Sequence, residues 1–207
     1  MASLRASAAL ALALAVCLLP NSAFAHSPVP GFAGFYTGLL HPLSTPGQLL
    51  GLLSLGLMLG LRWPQWFAWS WLWFAASCLL GIILGQLGFM ATWSELVLLL
   101  LAASAAALAA LYPSGILSVC FAFSGICGFL IGVLSTPDSG PLNDTIITLS
   151  GSFVGANFAL IYAAGGIGWL QERYTQQWLR IGIRVVAAWI AAISVLSALL
   201  ALATQQP

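Results

Sequence analysis

The chain has 207 residues, of which 61% are apolar and only 4% are charged, with a formal net charge of +1 and no lysine. A soluble domain carries roughly 25% charged residues, so the composition excludes one, and without a basic patch we expect no nucleic-acid partner. The apolar runs approach the roughly 20 residues that cross a bilayer as a helix, and they lack the alternation of barrel strands. We therefore expect an all-α, polytopic membrane protein surrounded by the lipid bilayer.

Residues 1–25 have the features of a secretory signal peptide. Arg5 precedes an apolar core, Pro20 and Asn21 form a turn, and Ala23-Phe24-Ala25 is a small-x-small cleavage site. Cleavage there would make His26 the first residue of the mature protein and place its N-terminus outside. An uncleaved anchor helix is the alternative.

The rest of the chain divides into an arm, a membrane domain and a tail. Residues 26–42 are rich in Gly, Pro and aromatic residues and indicate an outer-face arm, with a short amphipathic helix near 32–40. The six-helix transmembrane domain occupies 43–203, before a tail at 204–207. The six predicted spans are 43–61, 67–86, 94–112, 116–134, 145–170 and 181–203.

Two features within the fifth span predict helix contacts. Gly151 and Gly155 are four residues apart, a spacing that lets two helix backbones approach closely. Asn157 needs a partner in hydrocarbon, and we interpret it as a hydrogen-bonding residue between two helices rather than as part of a translocation path.

The distribution of charge predicts the orientation. With an outer N-terminus and six spans, the arginines of the mature chain all fall on the cytoplasmic side: Arg62, Arg173, Arg180 and Arg184. Three carboxylates fall outside: Glu95, Asp138 and Asp144. Both histidines fall outside too, so we expect a bacterial inner-membrane protein with both termini in the periplasm.

The outer residues suggest a metal site. A mature N-terminal His26 offers its α-amine and imidazole to one ion, and His41 adds a second imidazole. On an ideal helix, Gln48 would lie on the same face as His41. The predicted metal ligands are His26, His41, Gln48, Glu95 and Asp138. Nitrogen donors favour Ni²⁺, Cu²⁺, Co²⁺ or Zn²⁺, whereas the alternative is a helix-capping histidine among solvated loop charges.

The chain has, in order, a cleavable leader, the sequence from Gly38 through His41-Pro42, and an apolar six-span body that follows. In these features the chain resembles the HupE/UreJ family. These hydrogenase and urease accessory proteins are regarded as nickel permeases or nickel-binding membrane proteins. The family signature on the first span is His-Pro-x-x-Gly-x-Asp-His. His41 and Pro42 match it, while Thr45, Gly47 and Gln48 replace the Gly, Asp and second His.

The resemblance implies a protein that binds and transports a divalent metal, nickel favoured and copper or cobalt as alternatives, with His41 as a metal contact. It also implies metalloenzyme maturation proteins or a membrane complex as partners. The alternative function is a non-transporting accessory or assembly subunit that packs against partners through its many Trp and Gly surfaces, among them the Gly151/Gly155 face. We do not expect an enzyme, because no nucleophile, base and orienting group form a recognisable arrangement.

Overall fold

The computed structural model describes residues 32–89, 93–112, 116–137 and 141–204, and helices form all the regular secondary structure in this part of the chain. The predicted signal peptide, His26 and Asp138 lie outside the described residues. The seven helices are α1 Phe32–Ser44, α2 Pro46–Gly60, α3 Phe67–Gln86, α4 Ser94–Leu111, α5 Leu117–Leu134, α6 Leu142–Arg173 and α7 Gln177–Thr204.

Five of these helices, α3 to α7, are long and apolar enough to cross a membrane. The pair formed by α1 and α2 supplies a sixth crossing if it is counted as one bent span. The prediction of an all-α polytopic membrane protein is thus confirmed. The third helix, Phe67–Gln86, has the predicted bounds, and α4 to α7 begin and end within a few residues of the predictions at most.

The first span differs from the prediction of one helix over 43–61. The chain bends by 69° between α1 and α2, and Pro46 begins the new helix after an extended Thr45. Proline suits this position because its fixed φ fits the first turn and its missing N–H is not needed there. At 15 residues, α2 is about 22 Å long, short of the roughly 30 Å hydrocarbon core. Any bilayer crossing by this segment therefore needs part of α1.

Glycines set the contact between α1 and the first half of α6. A Cβ atom at Gly151 would overlap the carbonyl oxygen of Phe35, and one at Gly155 would overlap that of Leu39. The predicted close helix contact at these glycines is confirmed, and the partner is α1 of the same chain. Such approach gives dispersion contacts that replace the hydrophobic effect inside a membrane.

The contact between α3 and α5 is built in the same way. A Cβ atom at Gly128 would overlap the carbonyl oxygen of Phe74, and one at Gly132 would overlap that of Cys78. The short helix α2 contacts each of the other helices, and most of its residues are buried. Residues near the start of α2 therefore lie inside one end of the bundle.

Candidate metal site

The bend between α1 and α2 brings the first candidate ligands together. His41 is near the end of α1, and Gln48 is in the first turn of α2. Backbone bonds continue through the bend, with Thr45 N donating to His41 O at 3.0 Å. The side-chain nitrogens His41 Nε2 and Gln48 Nε2 are 3.3 Å apart. These two residues define what we call the histidine end of the bundle.

A main-chain oxygen of α5 completes this cluster. Gln48 Nε2 donates to the carbonyl oxygen of Leu134 at 3.2 Å, and His41 Nε2 lies 3.4 Å from the same oxygen. Leu134 is the last residue of α5, so its carbonyl has no partner in the following turn of helix. No sequence pattern indicates this oxygen, because every residue has a main-chain carbonyl.

Two hydrogen-bonding schemes fit the cluster, and they differ in the tautomer of His41. In the first, the two hydrogens of the Gln48 carboxamide nitrogen go to Leu134 O and to the lone pair of His41 Nε2, and the ring proton is on Nδ1. In the second, His41 Nε2–H donates to Leu134 O. A metal ion that binds His41 Nε2 must displace the hydrogen bond of either scheme.

The oxygen of the same carboxamide is free to bind a cation. Gln48 is only 1% exposed, and its Oε1 has no hydrogen-bond partner among the described residues. A buried acceptor without a donor costs about 1–3 kcal/mol. A cation near His41 would satisfy this oxygen, so burial here favours a bound ligand.

The carboxylate of Glu95, in α4, lies close to Gly47, the residue before Gln48. Glu95 is in the first turn of α4, and a Cβ atom at Gly47 would lie 3.5 Å from Glu95 Oε1. Leu99, one turn later, also contacts this position, so α4 packs directly on the start of α2. Glu95 thus lies beside the residue that precedes Gln48.

The two remaining predicted ligands, His26 and Asp138, lie outside the described residues. Asp144, the other carboxylate predicted on the outer side, is in the first turn of α6. Within the described ranges, three or more His, Cys, Asp or Glu side chains nowhere gather closely enough to hold a metal ion. The described donors at the bend and beside it are therefore one imidazole, the Glu95 carboxylate and neutral oxygens.

Several polar atoms lie deeper in the bundle. Ser124 Oγ, Ser152 Oγ and Asn157 Oδ1 are buried and have no hydrogen-bond partner in the described part of the chain. Asn157 Nδ2 donates to Phe153 O at 2.8 Å, within its own helix. The predicted bond between helices is therefore wrong, because the carbonyl four residues earlier is within reach of the amide.

The arginines lie at the opposite end, which we call the arginine end. Arg62 follows α2, Arg173 ends α6, and Arg180 and Arg184 lie near the start of α7. Arg184 Nε donates to Ala110 O at 2.6 Å, close to the end of α4. The two ends of the bundle thus differ in charge as the sequence predicts.

These features define a multi-pass membrane protein with a buried polar cluster at one end and cationic side chains at the other. Residues 14–199 match the family model described as HupE / UreJ protein, so the chain belongs to the HupE / UreJ family. Comparison with curated proteins and with solved structures gives no match. The family comprises membrane accessory and transport proteins associated with nickel or cobalt.

The family signature falls on the bend. Its first histidine corresponds to His41 and its last to Gln48, whose side-chain nitrogens are 3.3 Å apart. Its aspartate corresponds to Gly47, where Glu95 of α4 brings a carboxylate alongside. In this chain, an amide therefore replaces one imidazole, and a carboxylate approaches the aspartate position from another helix.

Proposed function

We propose that this protein captures a divalent transition-metal ion at its histidine end and passes it through the bundle. Nickel is the favoured ion, with copper or cobalt as alternatives. The observation that carries the proposal is the arrangement of His41 and the buried Gln48 around the Leu134 carbonyl, with one amide oxygen unpaired. Membership of a family associated with nickel or cobalt supports it.

The donor set combines nitrogen and oxygen. His41 offers an imidazole nitrogen, Gln48 its amide oxygen and Glu95 a carboxylate, and we propose His26 and Asp138 as further ligands. Imidazole favours late first-row ions over Mg²⁺ or Ca²⁺. The metal ion is the transported substrate here. A site of moderate affinity, from which the ion can dissociate, therefore suits this function better than a site that encloses the ion.

The charge distribution supports an orientation in the bacterial inner membrane. Arginine side chains are enriched on the cytoplasmic side of membrane proteins, which assigns the arginine end to the cytoplasm. The histidine end and both termini then face the periplasm. In this orientation the cluster meets metal ions from outside.

Uncharged side-chain oxygens inside the bundle would bind the metal ion as it passes from one end to the other. The buried polar side chains of the described residues are serines, one glutamine and one asparagine, and none carries a charge. Ser124 Oγ and Asn157 Oδ1 lie between the two ends and have no hydrogen-bond partner among the residues that the structure describes. A cation would exchange water for these oxygens step by step, which suits facilitated passage down a gradient.

The alternative is an assembly subunit without transport, which would pack against partners through Trp and Gly surfaces that include the Gly151/Gly155 face. That face is covered by α1 of this chain, where Phe35 and Leu39 occupy it. It is therefore committed to the protein's own fold. The polar cluster favours metal handling over this alternative.

The test is metal binding by the purified protein in detergent, after its N-terminus has been sequenced. Calorimetry with Ni²⁺, Cu²⁺, Co²⁺ and Zn²⁺ would compare wild type with His41→Ala and with His26→Ala/His41→Ala. Thr45→Val is a control at the bend that keeps both histidines. We expect at least tenfold weaker binding for His41→Ala and no change for Thr45→Val. If binding is lost in the double variant, uptake into vesicles would then test passage. Equal binding by wild type and the double variant would refute the proposal.

A further inference from the structure

A cavity lined by both polar and apolar side chains lies at the arginine end, away from the candidate metal site. Its volume is about 320 Å³, within the range of about 300–1,000 Å³ that ligand pockets occupy. Four long polar side chains and an apolar wall line it. They are Gln171, Gln177, Arg180 and Arg184, with Leu61 and Ile183 on the apolar side.

A smaller cavity of about 170 Å³ shares two of these residues. Gln171 and Arg180 line both, and Tyr174 and Thr175 complete the smaller one. Amide, hydroxyl and guanidinium groups all have N–H or O–H donors. The two cavities together therefore present donors to a ligand that carries several acceptor oxygens.

The described side chains that line the two cavities include two arginines and no carboxylate. Arg184 uses its Nε to bind Ala110 O at 2.6 Å, which fixes the side chain and leaves its terminal nitrogens for a ligand. Arg180 has no hydrogen bond or ion pair within the described residues. Glu172, the nearest carboxylate in sequence, lines neither cavity. An anion is thus the complementary ligand.

The position along the bundle points to a lipid. Trp169 has an edge-to-face contact with Tyr174, which lines the smaller cavity, and Trp178 follows Gln177 in sequence. These tryptophans are 57% and 65% exposed, and tryptophan concentrates at the depth of lipid headgroups. The cavity contains residues of the first turns of α7, where helix N–H groups favour negative charge. The apolar wall of Leu61 and Ile183 suits the start of an acyl chain.

We propose that these cavities bind the phosphodiester headgroup of an anionic phospholipid, with Arg180 and Arg184 on the phosphate oxygens and Leu61 beside the acyl chain. Basic pockets between membrane helices on the cytoplasmic side bind such headgroups. The site would hold the connection between α6 and α7 against the membrane. It is independent of the metal proposal, which concerns the other end of the bundle.

The test is native mass spectrometry of the full-length protein with phosphatidylglycerol or phosphatidylcholine of identical acyl chains. Each arginine near an anionic surface contributes about 1 kcal/mol, so wild type should prefer phosphatidylglycerol by roughly 10- to 30-fold. Arg180→Gln/Arg184→Gln should lose this preference. Arg173→Gln removes an arginine at the same end that lines neither cavity, and it should keep the preference.

The single variant Arg180→Gln is included because the double variant could disturb the fold. Of these two arginines, Arg184 is the one that bonds to α4. In the single variant, the logarithm of the preference for phosphatidylglycerol over phosphatidylcholine should fall to about half of its wild-type value. Equal binding of the two lipids by wild type, or an equal loss in Arg173→Gln, would overturn the proposal. So would inorganic phosphate that displaces the lipid at millimolar concentration, because the site would then be one for free phosphate.

Discussion

Gln48 Nε2 lies 3.3 Å from His41 Nε2, across the bend that separates α1 from α2. Seven residues of straight helix would separate the two positions by about 10.5 Å along the axis. The bend of 69° shortens this separation and directs both side chains to the carbonyl of Leu134. The signature region is therefore a bend whose polar side chains meet the end of α5.

Restoring the Asp and the second His of the family signature should strengthen metal binding. In Gly47→Asp/Gln48→His, a second imidazole replaces the amide beside His41 Nε2, and a second carboxylate joins Glu95. Space exists for the aspartate, because a Cβ atom at Gly47 makes only ordinary contacts of 3.5 Å with Glu95. We expect at least a tenfold lower Kd for Ni²⁺ by calorimetry, which corresponds to about 1.4 kcal/mol.

The matched control is Gly47→Asn/Gln48→His, which has nearly the same shape without the added charge. It should gain less affinity than the aspartate variant. If neither variant binds Ni²⁺ more tightly than wild type, the bend between α1 and α2 does not serve as the metal site in this chain.

Glu95→Gln should weaken metal binding while the protein stays folded. The side chain is exposed and borders the cluster through Gly47, so its loss removes one negative charge from the site and no buried contact. We expect roughly a 5- to 30-fold higher Kd at low ionic strength, and a smaller effect in high salt. Glu172→Gln removes a carboxylate at the arginine end and should leave the Kd unchanged. A similar loss in both variants would show a general charge effect instead.

Part of this structure follows from local sequence, and part depends on contacts between distant segments. The bounds of α3 follow from an apolar run with a polar residue at its end, and the Gly151/Gly155 contact follows from spacing. The position of the break does not follow from local sequence. Pro42 and Pro46 could each interrupt a helix, and the packing of α1 on α6 determines that the break lies at Pro46. The approach of Glu95 to Gly47 likewise requires α4 to lie against α2, which no local pattern specifies.

Gly155→Ala should destabilise the protein by separating α1 from α6. The added Cβ would overlap the carbonyl oxygen of Leu39, and backbone atoms cannot rotate away as a side chain can. Overpacking of this kind costs about 1–3 kcal/mol. Thermal unfolding in detergent would show it as a lower Tm. On the same helix, Gly166→Ala meets no atom within 4 Å and should not lower the Tm. Equal Tm values for the two variants would contradict the close contact described here.

Asn157→Leu should slow metal passage without changing capture. Asn157 Oδ1 is buried and unpaired at mid-bundle, away from His41, so its removal takes an oxygen from the path and leaves the entry site intact. An interaction between a polar group and a charge contributes about 1.5–3 kcal/mol, which corresponds to roughly 10- to 100-fold in rate. The measurement is Ni²⁺ uptake into proteoliposomes that contain a metal-sensitive dye, with Kd measured in parallel.

Ser150→Ala is the control on the same helix, because Ser150 is exposed and its hydroxyl bonds only to Ile147 O of the preceding turn at 2.7 Å. Its uptake rate should equal that of wild type. A normal rate in Asn157→Leu would exclude this oxygen from the path and leave binding at the histidine end as the only supported step. A joint loss of uptake and of binding would place the effect of the substitution on the fold, since Asn157 does not contact the cluster around His41.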